Sequence, residues 1–554
     1  MTRWADEPGF PGAHHDPVHH DGLDHVTALR PDDLSRTWLL DFHHPRGVVP
    51  LAIPLVDDIA TASQQAALEL GLGLGSGFAS RLVGPHVYLG PCPTQSAVAV
   101  ARHAAEAELD GYPDRFATEW ADYVSELTSA YAALDSVDLD GIDRAGLATY
   151  LAAAQRLHRR AWQIHFHVMY RVFAVQHRFL ALCRELGLGD VDAAALVQGD
   201  DNAILASDQA LDGLVTSARS AGLDAVLLAA LPGEVGAALR EHPGAAGWLT
   251  ELNGVLAQHG DRSDALADLT APSWREDPEI PLGLVRAALA AGPPRHRVRA
   301  AERLAAVRTR LSAAARPRLD AALDVTLRAN AVWWNEEHTA WIDLRVHLPV
   351  RRGALALAAV VGTPQPDDGL LLFRRELTDL LHGSAPWSSL ADRVAERRSY
   401  LARWAVRRGQ LPPRLGSAGP CSDPVLDEIL GASQPARSGV GPVLHGLGVS
   451  AGVASGPARV VRTPDRLTDV RSGEVLVCEA TSPSWTPVFE RLAGCVCDSG
   501  GMLTHAATIS REYGLPCVCA VGDATSVIAD GDLVEVDGAA GTVRLPSSCQ
   551  GDDG

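Results

Sequence analysis

Aromatic residues are scarce in this 554-residue chain, at 5%, although tryptophan is frequent among them. Basic residues number 48 against 68 acidic ones, a formal net charge of −20. That shortage excludes a nucleic-acid groove and an anionic membrane surface as partners. No apolar run reaches the length of a membrane span, and the first residues are polar, so neither a spanning helix nor a secretory leader is expected. Nine cysteines over this length do not form a disulfide framework. The expectation is a soluble cytoplasmic protein with reduced thiols. A phosphate loop is missing too. In Gly71-Leu-Gly-Leu-Gly-Ser-Gly77, Ser76 stands where the third glycine of a dinucleotide fingerprint belongs, and no Lys-Ser/Thr follows. A flexible loop is expected there.

What is present divides by texture. The length predicts several domains. Residues 1–34 are rich in Pro, Gly, Asp and His and read as a disordered tail. Over 35–100 the texture is mixed, with strand-like or loop pieces at Pro50–Val56 and at His86-Val-Tyr-Leu-Gly90. From about 94 to 430, long Ala/Leu/Arg segments repeat apolar residues at three and four, which predicts at least eight helices and little sheet. Residues 431–442 read as a linker or hinge. Over 443–546 short Val-rich runs alternate with turns, the pattern of a compact α/β unit; 547–554 form a tail. The fold class expected is therefore multidomain α and α/β, a large helical domain over 35–430 followed by a small α/β domain.

The segment Asp498-Ser-Gly-Gly-Met-Leu-Thr-His505 carries the chemistry. A Gly-Gly turn delivers His505 to the first turn of a helix over 505–513, which stops at Gly514-Leu-Pro516. Histidine is a neutral nucleophile near pH 7, and a helix N-terminus favours an anion. Gly500 and Gly501 allow positive φ and close approach, and Thr504 offers a hydroxyl beside the ring. Arg511, six residues on, falls on another helix face and reads as an ion-pair partner or a phosphate ligand. The pairs Cys495/Cys497 and Cys517/Cys519 each share one strand face; they read as buried small residues, a zinc site being the alternative.

Around that histidine stand Gly446-Leu-Gly-Val-Ser-Ala-Gly-Val-Ala-Ser-Gly456, Ala480-Thr-Ser-Pro-Ser-Trp-Thr-Pro487, Gly522-Asp-Ala-Thr525 and Val536-Asp-Gly-Ala-Ala-Gly-Thr-Val543. In this order they resemble the swivelling phosphohistidine domain of the phosphoenolpyruvate-utilising enzymes. The resemblance implies that His505 is the phosphorylated residue. Thr504 stands where the family usually has Ser or Cys. A second resemblance, to the substrate-binding segment of the rifampin phosphotransferase and phenylphosphate synthase branch, rests on Trp38-Leu-Leu-Asp-Phe-His-His-Pro45, Trp162-Gln-Ile-His-Phe-His167, His259-Gly-Asp-Arg262, Ala271-Pro-Ser-Trp-Arg-Glu-Asp-Pro278 and Glu336-Glu-His-Thr-Ala-Trp-Ile-Asp343. It implies a mainly helical substrate domain. The family's ATP-grasp domain is not recognised in this sequence. The resemblance therefore implies a phosphoryl donor on a separate ATP-grasp subunit, where ATP and Mg²⁺ would bind. This chain is expected to bind no cofactor or metal tightly.

In the helical region Trp334, His338, Trp341 and Arg345 recur at i, i+4, i+7 and i+11, one helix face. His158, Trp162, His165 and Met169 do the same. Such stripes build either an aromatic cavity with polar anchors or plain helix–helix core. An acceptor hydroxyl needs a base, and the candidates rank His338, His165, His259. Arg262 and Arg345 could bind phosphate or an acidic substrate, or pair at the surface. The function expected is phosphoryl transfer from His505 to a hydroxyl of a small aromatic or bulky apolar molecule. The alternatives are a dehydratase or condensing enzyme that uses phosphorylation for activation, and a non-catalytic binding relative.

Overall fold

The computed structural model describes residues 35–545, excepting 73–75, 94, 198–205, 232, 264, 266, 292–299, 334–341, 343–344, 413, 417–441, 463, 482–484 and 503. Both expected tails, nearly all of the expected hinge, and Trp334, His338 and Trp341 lie outside the described residues. The chain divides into two compact units. One comprises 1–175, 265–271 and 337–423, the other 176–264, 272–336 and 424–554. The helices of 94–430 thus fall partly in each, and the C-terminal α/β segment shares the second unit with some of them. Helices that position polar side chains are, in chain order, α1 (Ile53–Leu70), α2 (Arg144–Glu185), α3 (Ala246–His259), α4 (Leu348–Leu357), α5 (Thr486–Phe489) and α6 (His505–Tyr513).

The first unit holds an antiparallel sheet of β1 (Trp38–Leu40), β2 (Phe78–Val83), β3 (His86–Pro91) and β4 (Arg414–Leu415), in the order β2-β3-β1-β4. The strand-like piece at residue 86 is β3. The other one, at Pro50–Val56, is helical: a 3-10 turn over Pro50–Ala52 runs into α1. Pro50 and Pro54 lack the N–H that a strand ladder needs, while their fixed φ suits a helix start. The β2–β3 hairpin turns at Gly84-Pro85. Gly84 has φ +57°, and a Cβ there would meet the Trp404 ring at 2.4 Å. That approach lets Trp404 pack in one core with Trp38, Tyr88, Tyr400 and Leu415.

In the second unit, helices between 176 and 333 bury Phe179, Leu196, Val307, Leu319 and Leu323 among others. Its sheet has β5 (Val443–His445), β6 (Leu447–Ser450), β7 (Val453–Val461), β8 (Val475–Cys478), β9 (Gly494–Cys497), β10 (Cys517–Cys519), β11 (Leu533–Asp537) and β12 (Thr542–Arg544), in the order β5-β12-β11-β7-β8-β9-β10-β6. The central run β7-β8-β9-β10 is parallel and the flanking pairs are antiparallel. Strand alternation sends Val475, Val477, Val496 and Val518 to one core face. Cys478, Cys495, Cys497, Cys517 and Cys519 take the other and are fully buried. Sγ of Cys497 lies 3.7 Å from those of both Cys478 and Cys495.

Candidate functional site

The parallel strands bring two polar loops together at their C-terminal ends. The main chain of Asp498 and Ser499 follows β9 and bonds back to Cys478 at the end of β8 and to Glu479 just after it. The Asp498 carboxylate accepts from the backbone N–H and the hydroxyl of Thr525. Burial raises its pKa to about 7 against the lowering effect of those bonds. Gly500 then takes φ +105°, and a Cβ there would stand 3.0 Å from Thr504 Oγ1. Gly501, expected to share that conformation, has no positive φ. Thr504 is extended at the N-cap and His505 is the first residue of α6. The helix stops on left-handed Gly514, at the boundary expected.

The Thr504 hydroxyl does not reach the ring. It donates to the Gly501 carbonyl at 2.9 Å and closes the turn. The hydroxyls at the imidazole come from the segment before α5 and from its first residue: Thr481 Oγ1 is 2.8 Å from Nδ1 and Thr486 Oγ1 is 3.1 Å from Nε2. Both lie in the Ala480–Pro487 stretch. Sequence reasoning treated that stretch as a family signature without assigning roles in it, and its two threonines were the available signal. The Phe489 ring meets the imidazole edge-on at 5.9 Å. His505 keeps partial solvent exposure, but its ring is enclosed by protein. Desolvation first, and the Arg262 charge second, lower its pKa to about 3. The imidazole is therefore neutral at pH 7, the state a nucleophile requires. Arg511 is buried: its guanidinium donates to the Met502 carbonyl, its Nε and Nη1 have no partner in the protein, and Arg303 donates to the Arg511 carbonyl at 2.6 Å.

Two other sequence candidates belong to this unit. Arg262 is buried, with its guanidinium 5.7 Å from the Trp274 ring centre, and it is near enough to act on the charge state of His505. It sits just past α3, where Arg262 N–H bonds the His259 carbonyl at 3.2 Å and Trp274 N–H bonds the Arg262 carbonyl at 2.8 Å. The His259-Gly-Asp-Arg and Ala271-Pro-Ser-Trp segments thus interlock through their backbones. Burial and then Arg262 lower the pKa of His259.

The remaining described candidates lie in the first unit. Trp162 and His165 are buried on α2 with their rings 4.7 Å apart, and Trp162 Nε1 donates to His158 Nε2 at 3.1 Å. Arg345 contacts Asp135 at 3.3 Å and covers the Tyr131 ring at 4.5 Å.

Two family profiles match the chain. Residues 470–541 match "PEP-utilising enzyme, mobile domain", and 165–336 match "Rifampicin phosphotransferase fourth domain". Among curated proteins the chain is similar to chondramide synthase of Chondromyces crocatus, 30% identical over 98% of this chain and 14% of that protein. It is similar to an uncharacterised phosphotransferase of Bacillus subtilis, 29% identical over 38% of this chain and 25% of the relative. It is also similar to rifampicin phosphotransferase of Bacillus subtilis, 44% identical over 18% of this chain and 11% of that enzyme. The chain spans 14% to 30% of the length of the first three relatives it matches.

Proposed function

Because the chain belongs to the phosphoenolpyruvate-utilising enzymes, on their rifampicin phosphotransferase branch, we propose that it is a phosphotransferase component that carries a phosphoryl group on His505. One observation carries the reading: a neutral imidazole at the start of α6, with a threonine hydroxyl on each ring nitrogen. A ring nitrogen lone pair attacks the donor phosphorus, the donor's P–O bond breaks, and the leaving phosphate keeps that electron pair. The threonine on the reacting nitrogen turns aside and can then bond a phosphoryl oxygen. The α6 N-terminus and Arg262 supply positive potential. In the second half-reaction an acceptor hydroxyl oxygen attacks phosphorus, the P–N bond breaks, and its electron pair returns to His505.

The donor in this reading is ATP with Mg²⁺ on a separate ATP-grasp subunit. The whole 554-residue sequence contains no lysine, so its cations for phosphate are arginines, whereas nucleotide sites commonly use a lysine as a point charge. The acceptor is a small aromatic or bulky apolar alcohol or phenol. The histidine module would move between the two sites about residues 431–442. The alignment along 98% of the chain with a synthase favours one second reading, in which the phosphorylated product loses its phosphate during a condensation or dehydration. A product that keeps its phosphate decides against that alternative.

The test pairs the full chain with a co-purified ATP-grasp protein and ATP labelled at the β or γ position. Acid-labile, alkali-stable label on this chain, absent in His505→Ala, is the expected result. Turnover without label on His505 overturns the reading.

A further inference from the structure

One face of the C-terminal sheet is lined with thiols that the chemistry at His505 does not use. The adjacent parallel strands β8, β9 and β10 send Val475, Val477, Val496 and Val518 to one face and Cys478, Cys495, Cys497, Cys517 and Cys519 to the other. Their register sets Cys478 opposite Cys497 and Cys495 opposite Cys517. All of these cysteines are fully buried. Apolar volume alone is supplied by the valines that the same strands carry on their other side. A thiol differs from them in its affinity for soft metal ions.

Three of the sulfurs have the spacing of a metal centre. Sγ of Cys497 lies 3.7 Å from those of both Cys478 and Cys495, and the three sulfurs lie within 4.8 Å of one another. The point equidistant from the corners of such a triangle is about 2.1–2.4 Å from each sulfur, and a zinc–thiolate bond is about 2.3 Å. The space between the sulfurs thus fits one metal ion without moving the strands. Among the described residues no other group of His, Cys, Asp or Glu is close enough to share an ion. A second observation comes from α6. Arg511 is buried, and its Nε and Nη1 have no partner in the protein. Buried donors left open in this way favour negative charge nearby. The Arg511 charge interacts with Cys517, Cys519 and Glu512, so it stands beside the thiol layer. Three thiolates around a divalent ion carry one net negative charge in that layer.

We propose that Cys478, Cys495 and Cys497 bind one soft, thiophilic metal ion, zinc(II) or copper(I). Each thiol gives its proton to solvent, and a sulfur lone pair forms the bond to the ion. No electron is transferred. The enclosed site is loaded as the domain folds. This departs from the sequence expectation of a chain that holds no metal tightly. The ion clips the C-terminal ends of two strands together, because Cys478 ends β8 and Cys497 ends β9. The His505 site is built on the chain that leaves these ends. Thr481, which contacts the imidazole, comes shortly after Cys478, and Asp498, which begins the histidine turn, follows Cys497. The proposal does not depend on the phosphotransfer reading.

The test uses the full chain with Cys92, Cys183, Cys421 and Cys549 changed to Ala, which leaves only the thiols of the sheet. It is expressed in medium supplemented with zinc in one arm and copper in the other, purified under reductant and analysed for bound metal. About one ion per chain is expected, and the arm that retains it identifies the metal. Cys478→Val and Cys497→Val should each hold less than about a tenth of that amount. Cys517→Val, a comparable change in the same core but outside the triangle, should keep its ion. Stripping the ion with a chelator should lower the melting temperature of the metal-loaded chain and leave Cys478→Val and Cys497→Val unmoved. That comparison reads the site even where a variant folds poorly. Protein free of metal in both arms overturns the proposal. So does undiminished metal in Cys478→Val and Cys497→Val, loss of the ion in Cys517→Val, or a disulfide joining Cys478 to Cys497 in the freshly purified chain.

Discussion

At the scale of the residue, the decisive property of His505 is that it stays neutral. Free imidazole is protonated and loses nucleophilicity as pH falls below about 6.5. Enclosure and Arg262 move that loss to about pH 3 for His505. The rate at which the chain is labelled by its donor should therefore stay level between about pH 8 and pH 5 once the donor's own titration is subtracted. Rapid-quench labelling at saturating donor measures this, and a fall centred near the ordinary histidine pKa would contradict it. The arginines here differ in surroundings: Arg511 gives one guanidinium nitrogen to a backbone carbonyl, whereas Arg262 lies against an aromatic ring and acts on the imidazole.

At the scale of the element, the start of α6 depends on one backbone conformation. Gly500 at φ +105° is a conformation that side chains disfavour, and an added Cβ would press on the threonine hydroxyl that closes the turn. Gly500→Ala should cost about 1–3 kcal/mol and displace the first helical turn. Labelling of His505 should then fall by more than about tenfold while the sheet core survives. Denaturant unfolding beside a labelling assay checks both. Gly501→Ala should be the milder change, because Gly501 has no positive φ. The glycine pair is thus one conformational requirement and one tolerant neighbour.

At the scale of the molecule, buried neutral histidines make the fold sensitive to acid. His86, His158 and His347 in the first unit and His505 in the second have pKa values of about 3 against an ordinary 6.5, with burial the leading cause in each. Below pH 6.5 the unfolded chain binds a proton at each site that the folded chain refuses. This contribution is present above 6.5 and is lost as pH falls toward 3. Asp498 has the opposite sign. Its folded pKa of about 7 lies above the ordinary 3.8, so it favours the folded state more as pH falls from 7 to 4. For these five groups the balance is about three protons, or about 4 kcal/mol of stability per pH unit between pH 6 and pH 5. Melting temperatures across that range should drop steeply. His347→Phe should make the slope shallower by about one proton, and a flat profile would refute this balance.

Much of the fold was open to sequence reasoning because it is set locally. The period of three and four in the helical region, the Gly-Gly turn before His505, the stop at Gly514 and the two-residue alternation of the C-terminal strands are all written within a few residues of where they act. The strand-like reading of Pro50–Val56 failed for a local reason as well, since prolines that exclude a ladder also begin helices. The base candidates read from helix faces were chosen without knowledge of which histidines would be buried and unpartnered. His338 lies outside the described residues.

The sequence by itself determined the histidine turn, the α/β texture around it and the family. Tertiary structure alone decided that Thr481 and Thr486, rather than Thr504, stand at the ring, and that the charge of Arg262 reaches it. The physical reason is range. Backbone propensity and periodicity act over a turn or a strand, whereas desolvation and hydrogen-bond satisfaction depend on which distant side chains share a volume.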